Sequence, residues 1–176
     1  ELFAFQRAGL KPDLISLSKG LTGGFLPMGV TMSSKRISEG FLGEDPKQTF
    51  WHGHSFTANP LGCAAANASL DLLERSPQKY LDFESRHLPH LQKIVKDPRI
   101  ECPRITGTIA AFNIKVKGNK GYLSSVGKIM KASALRVGVF IRPLGDVVYL
   151  MPPLCITDQE LEKCYLGIQE GLNALS

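Results

Sequence analysis

Apolar residues fall into short runs and stripes along this chain, and each pattern predicts an element. Residues 13–17 (DLISL) form an apolar run closed by Ser18, Lys19 and Gly20, which predicts a buried strand ending at a loop. Residues 20–29 hold four glycines and a proline, the composition of a loop with unusual backbone angles. Residues 29–32 predict a second strand, residues 34–42 a short helix, and residues 48–60 (QTFWHGHSFTANP) a long ordered loop. Asn59 then Pro60 is an N-cap followed by proline at the first helical position, and the helix it opens runs to about Arg75. Leu61, Ala64, Ala65, Ala68 and Leu72 are expected to be its inward stripe. Ser76-Pro77 repeats the signal, with Tyr80, Phe83, Leu88, Leu91 and Val95 at helical spacing and Pro89 expected to kink or break the helix.

Beyond Arg99 the period changes. Ala110, Phe112, Ile114 and Val116 alternate with less apolar neighbours, as in a strand with one buried face. A helix is predicted from Ser124 to near Gly138, a left-handed C-cap. Residues 139–142 and 147–151 read as two strands joined at Leu144-Gly145-Asp146. Thr157 and Glu160 form a capping box, with Ile156 and Leu161 placed as a hydrophobic staple. Leu161, Tyr165, Ile168, Leu172 and Leu175 are the stripe of that last helix. The order from Ser76 is that of an α+β module, so a boundary near residue 76 is expected.

Composition narrows the class. A 176-residue chain with 43% hydrophobic and 21% charged residues is one globular domain or a little more. It has no apolar run near the ~18 residues of a membrane span, and no signal peptide opens it. The sequence begins at Glu1 without Met, which predicts a processed, trimmed or fragmentary chain. The net charge is +5, and residues 89–176 carry all of the excess. Their lysines (Lys115, Lys117, Lys120, Lys128, Lys131) are spaced among apolar residues with no aromatic platform, which favours a solvated face over a nucleic-acid surface. No pair among Cys63, Cys102, Cys155 and Cys164 has CxxC spacing, so neither a zinc nor a redox motif is signalled, and a reducing, cytoplasmic setting is expected. Cys63 and Cys164 sit on apolar helical faces and read as small hydrophobes.

Three features carry candidate chemistry. Lys19 stands where a strand gives way to a glycine loop, where partial burial would free an amine for Schiff-base chemistry; an exposed lysine is the competing reading. The run Trp51-His52-Gly53-His54-Ser55-Phe56-Thr57 offers hydroxyls and amides beside a helix start, suited to a phosphate. Its H-x-H spacing lacks a nearby Asp, Glu or Cys, so no metal is predicted. Arg142 ends an apolar strand before a proline turn, where its planar fork could clamp a carboxylate or simply face water.

Together these features resemble the class III aminotransferases. KPDLISLSKGLTGG resembles the cofactor-lysine region of that class, and HGHSFTANPLGCAAANASLDLL and IRPLGDVVYLMPP follow in the same order. The resemblance implies pyridoxal 5′-phosphate (PLP) as cofactor and the fold-type I architecture. Residues 1–75 would be the C-terminal part of the large PLP-binding α/β domain, and residues 76–176 the small C-terminal α+β domain. It implies Lys19 as the catalytic, cofactor-bearing lysine and His54 and Ser55 as the pair meeting the cofactor phosphate across a homodimer interface. Gly53, Arg142 and Tyr149 would lie at the substrate. The RPLG…YLMPP run resembles the branch of biotin synthesis that aminates 8-amino-7-oxononanoate with S-adenosylmethionine. Another class III ω-aminotransferase, acting on ornithine, 4-aminobutyrate or a diamine, remains open, as do a non-catalytic binding module and an inactive truncated fragment. The family commonly reads HGPTF where this chain has His52-Gly53-His54-Ser55-Phe56. Its other cofactor contacts precede the lysine, so the chain is expected to be the C-terminal portion of a longer enzyme.

Overall fold

The computed structural model describes residues 2–116, 118 and 120–175, with Lys79 described by its backbone alone. Lys117 and the terminal Glu1 and Ser176 therefore lie outside the described residues. The chain divides into two compact units, Glu1–Pro77 and Gln78–Ser176.

In the first unit, helix α1 (Ala4–Arg7) precedes strand β1 (Leu14–Ser18), which pairs antiparallel with β2 (Gly29–Ser33). Asp13 ties their far end. Its carboxylate accepts hydrogen bonds from the Ser34 hydroxyl at 2.7 Å and Arg36 Nη2 at 2.9 Å. Helix α2 (Lys35–Glu39) follows, then a long segment leads to α3 (Pro60–Arg75). Two expectations are corrected here. β1 is not a buried strand, because among the described residues its sheet has two strands; Leu14 is exposed and Ile15 and Leu17 are half-buried. The buried positions of α3 are Gly62 and Ala66, whereas Leu61, Ala64, Ala68 and Leu72 are exposed and Ala65 is half-buried. This helix carries two apolar stripes, and the buried one is the one where glycine admits a neighbour. A Cβ on Gly62 would come within 3.3 Å of Met28 Sδ.

The second unit has a conventional core. Helices α4 (Gln78–Leu81) and α5 (Phe83–Ile94) lead to β3 (Ile100–Thr106), β4 (Ile109–Ile114), α6 (Val126–Arg136), β5 (Val147–Leu150) and α7 (Asp158–Asn173). The strands form an antiparallel sheet in the order β3-β4-β5. β3 carries Pro103 beside a register shift between Glu101 and Arg104, the edge position where a strand tolerates a missing N–H. The core joins Phe112 and Ile114 of β4, Val148 and Leu150 of β5, Met130 and Ala134 of α6 and Leu161, Tyr165, Ile168 and Leu172 of α7. Of the predicted α7 stripe, Leu175 is half-buried and packs against that cluster. The capping box is formed: Glu160 N–H donates to Thr157 Oγ1 at 3.2 Å, and Thr157 N–H to Glu160 Oε2 at 2.8 Å. Lys115, Lys120, Lys128 and Lys131 are exposed.

Three further expectations are corrected in this unit, the first in part. Of the kink or break expected at Pro89, the break does not occur, since Pro89 lies inside α5, which continues through it; the chain breaks earlier, at Asp82. The buried face of α5 is Phe83, His87, Leu91 and Ile94, whereas Leu88 and Val95 are exposed and Tyr80 is half-buried. Residues 139–142 are not a strand. Val139 and Ile141 are buried and Phe140 and Arg142 exposed, a strand-like alternation, but the only pairing nearby is the isolated bridge Leu144–Val147. Pro143, without an N–H, cannot extend a ladder there.

Candidate active site

Lys19 opens a 3-10 turn over Lys19–Thr22 directly after β1, and its backbone is left-handed, with φ of 52°. That conformation costs a non-glycine residue of order 1–2 kcal/mol and persists only where its surroundings fix it. The loop that follows is anchored by Thr22, 3% exposed. Its hydroxyl donates to the Leu26 carbonyl at 2.6 Å and accepts from Leu26 N–H at 3.3 Å, closing the glycine loop on itself. Gly23 and Gly24, both at positive φ, turn the chain back. Lys19 is exposed rather than partly buried, and its side chain has no partner among the described residues.

The second element is the segment ahead of α3. Asn59 caps that helix with both available donors: its Oδ1 accepts from Leu61 N–H at 3.0 Å and from Gly62 N–H at 3.1 Å. Pro60 contributes no N–H, so the donors of the first turn are spent. The free donors lie upstream. His54 N–H donates to Thr57 Oγ1 at 3.0 Å, and Phe56 N–H donates to His54 Nδ1 at 3.1 Å. Thr57 N–H donates to the His54 carbonyl at 2.9 Å and Asn59 N–H to that of Phe56 at 3.2 Å. Between these ties, the Ser55 N–H and hydroxyl have no partner among the described residues. Because Nδ1 of His54 accepts, the neutral ring carries its proton on Nε2, a further donor.

A cavity of about 670 Å³ lies in this unit, lined by Ser18, Met28, His54, Thr57 and Asn59 among others. It brings the residue before Lys19 together with the His54 turn. Lys19, Gly53 and Ser55 flank these lining residues in sequence and are not themselves part of the lining. Among the described residues, two of the three non-glycine positions with positive φ, Lys19 and Ala58 (φ 54°), stand at or beside this cavity.

Arg142 and Tyr149 belong to the second unit. The Arg142 side chain is exposed and has no partner among the described residues. The turn after it is held from beneath. Asp146 is buried, and its Oδ2 accepts Gly121 N–H at 3.0 Å. Gly145, at φ 63°, has no room for a side chain, since a Cβ would lie 1.9 Å from the Gly121 carbonyl oxygen. A Cβ on Gly127 would lie 2.6 Å from the Gly145 oxygen. Tyr149 is half-buried on β5, paired with Ala111 of β4. Sequence reasoning placed Thr57 among the hydroxyls of the run before α3 but gave Thr57, Ser18 and Asp146 no role of their own. Thr57 left one signal, a hydroxyl residue three positions after His54, the spacing at which a side chain caps a turn.

Comparison with known proteins adds the following. The profile of the family described as "Aminotransferase class-III" matches residues 1–172. The chain is 48% identical over 173 residues to the adenosylmethionine-8-amino-7-oxononanoate aminotransferase of Synechococcus elongatus, covering 98% of this chain and 41% of that protein. It is 35% identical over 186 residues to the enzyme of the same name from Geobacter sulfurreducens, covering 99% and 40%. The crystal structure of the Methanocaldococcus jannaschii enzyme of that name superposes with a TM-score of 0.80 at 30% identity, over 94% of this chain and 40% of that one. A PLP-bound amine transaminase from an uncultivated Pseudomonas species superposes with a TM-score of 0.87 at 26% identity, over 97% and 40%. The chain thus spans about 40% of the length of these relatives.

Proposed function

We propose, for a chain that belongs to the class III aminotransferase family, that it is the lysine-bearing, C-terminal portion of a PLP-dependent enzyme that aminates 8-amino-7-oxononanoate to 7,8-diaminononanoate in biotin synthesis. S-adenosylmethionine is the amino donor in this reading, and the complete enzyme is a cytoplasmic homodimer. The observation that carries it is the 48% identity, over nearly the whole chain, to a relative named for those two compounds.

The donor set fits the cofactor. Among the described residues the Lys19 amine is unpartnered, which suits a carbonyl group, and the Ser55 donors are unpaired, which suits a phosphate. Bound PLP supplies an electron sink that acidifies the donor's α-carbon. Lys19 would be the residue that holds the cofactor at its carbonyl carbon, with loss of water, and as a free amine its Nζ would accept the proton from the donor's α-carbon. Ser55 and His54 Nε2–H donate to the phosphate. The fork of Arg142 receives the keto acid's carboxylate, with the turn clamped by Asp146 setting where the fork begins. The family resemblance assigns Gly53 and Tyr149 to the substrate side. The reaction is then ping-pong, with donor and acceptor using one site in turn.

A second reading, an amine transaminase of the same class, draws on the higher TM-score of the Pseudomonas structure. Half-reactions with S-adenosylmethionine and with simple amines separate the two. The primary test is borohydride reduction of the naturally expressed protein with PLP, followed by peptide mass spectrometry. A pyridoxyl group on the Lys19 peptide is expected. Labelling elsewhere, or none, removes Lys19 from the role.

A further inference from the structure

Resting on the reading that Ser55 and His54 meet the cofactor phosphate, we propose that Thr57 is a positioning residue, which together with the Nδ1 of His54 forms a side-chain clamp that presents the Ser55 N–H and hydroxyl to that phosphate.

The turn they form is exposed throughout residues 51–60, so packing does not hold it. Hydrogen bonds do. Thr57 Oγ1 takes the His54 N–H and His54 Nδ1 takes the Phe56 N–H, so each residue's side chain engages a backbone donor elsewhere in the turn. The Thr57 N–H closes the turn on the His54 carbonyl at 2.9 Å. The amides on both sides of Ser55 are thereby occupied, and the Ser55 donors are left over between them. An unclamped loop loses conformational freedom when it closes on an anion; a clamped one has lost it already, and binds more tightly for that reason. Downstream, Ala58 holds a left-handed backbone without being glycine, with Asn59 fixing the next step of the chain onto α3. Thr57 is therefore held between the turn and the helix cap, and its hydroxyl serves the turn.

The clamp acts on the phosphate contact alone, which separates it from a general structural role. The test compares the apoprotein's affinity for PLP and for pyridoxal, which lacks the phosphate, in the protein as naturally expressed. Thr57→Val keeps the shape and removes the acceptor. We expect it to weaken PLP about tenfold, the effect of one hydrogen bond, and to leave pyridoxal unchanged. Thr57→Ser, which keeps the hydroxyl, should restore PLP to within about twofold. Amide exchange at His54 in the cofactor-free protein should accelerate in Thr57→Val and return in Thr57→Ser. Equal losses for both ligands, no loss, or failure of serine to rescue would overturn the clamp. A wild-type protein that binds PLP no better than pyridoxal would instead overturn the phosphate reading itself, and the clamp with it.

Discussion

Acid should loosen the second unit through His87. This side chain is fully buried, and it ties α5 to two other elements. Its Nε2 lies 3.2 Å from the Thr108 carbonyl oxygen, and its Nδ1 lies 2.7 Å from the Tyr165 hydroxyl on α7. A carbonyl only accepts, so Nε2 carries the proton and the Tyr165 hydroxyl donates to Nδ1. Protonating Nδ1 forces that hydroxyl to reverse and strands its own hydrogen in the core. Burial is the main reason the His87 pKa lies below its ordinary value of 6.5; the Thr108 carbonyl opposes this, and the charges of Arg86 and His90 add to it. His90, stacked on Tyr165 with ring centroids 4.6 Å apart, is also lowered, by burial first and then by Lys93, against Glu162 and Asp158. Burial pushes the Tyr165 hydroxyl upward, so it stays protonated throughout.

The sign and size follow. Below pH 6.5 the unfolded chain binds a proton at position 87 that the folded chain refuses, so stability falls with falling pH until the depressed native pKa is reached. One such histidine sets a slope of at most about 1.4 kcal/mol per pH unit. Removing the ring altogether, as in His87→Ala, leaves the Tyr165 hydroxyl and the Thr108 carbonyl unpaired at about 1–3 kcal/mol each, before any cavity cost. His87→Gln can keep one partner and does not titrate. The assay is urea unfolding from pH 7.5 to 5.0, with hydrogen exchange followed on peptides of α5 and α7 and corrected for intrinsic rate. Wild type should lose stability below pH 6.5 on a slope steeper than that of His87→Gln, the residual slope belonging to His90 and, toward pH 5, to Asp97 and Glu160, whose carboxyls are held below their ordinary range by hydrogen bonds from Arg99 and Thr157. Equal slopes, or an NMR titration of His87 at or above 6.5, would refute the reasoning.

Two further outcomes are expected. Gly167→Ala should destabilise the second unit by about 1–2 kcal/mol net, overpacking offset in part by better helix propensity, because its Cβ would lie 2.7 Å from Val139 Cβ, an atom close to the backbone; thermal unfolding should show it, and an unchanged or raised Tm counts against this packing. Arg142→Ala should raise KM for the keto acid by about 10- to 100-fold, the range of a lost charged hydrogen bond, and spare the half-reaction with the donor; equal damage to both halves removes the carboxylate role.

The helix ends were legible because caps are written in adjacent residues. Asn59-Pro60 places the start of α3, and Thr157 with Glu160 places that of α7, each by hydrogen bonds spanning two or three positions. Faces were less legible. α3 offers two apolar stripes, and contacts distant in sequence, such as the approach of Met28 to Gly62, decide between them. Residues 139–142 alternate like a strand because they cover the core, yet their backbone finds no ladder. His87 was invisible to hydrophobic periodicity, since the scale counts it as polar while Tyr165 and Thr108 satisfy it.

The same distinction separates the two units. Among the described residues the first unit buries Thr22, Gly62 and Ala66, none of them a large apolar side chain. A core of Phe112, Met130, Leu161, Ile168 and Leu172 orders the second. Periodicity works where side chains meet across space around a core, so the α7 stripe was read correctly. In the first unit order comes largely from short-range ties, Thr22 to Leu26, Asn59 to Leu61 and Gly62, and Thr57 to His54, with Asp13 reaching further along the chain to Ser34 and Arg36. Motif reading singled out Lys19 and the His54-Ser55 pair there because both sit in such local turns. It took Thr57 only as one hydroxyl of the run before α3, because a hydrogen bond to a backbone amide is not a feature any motif demands.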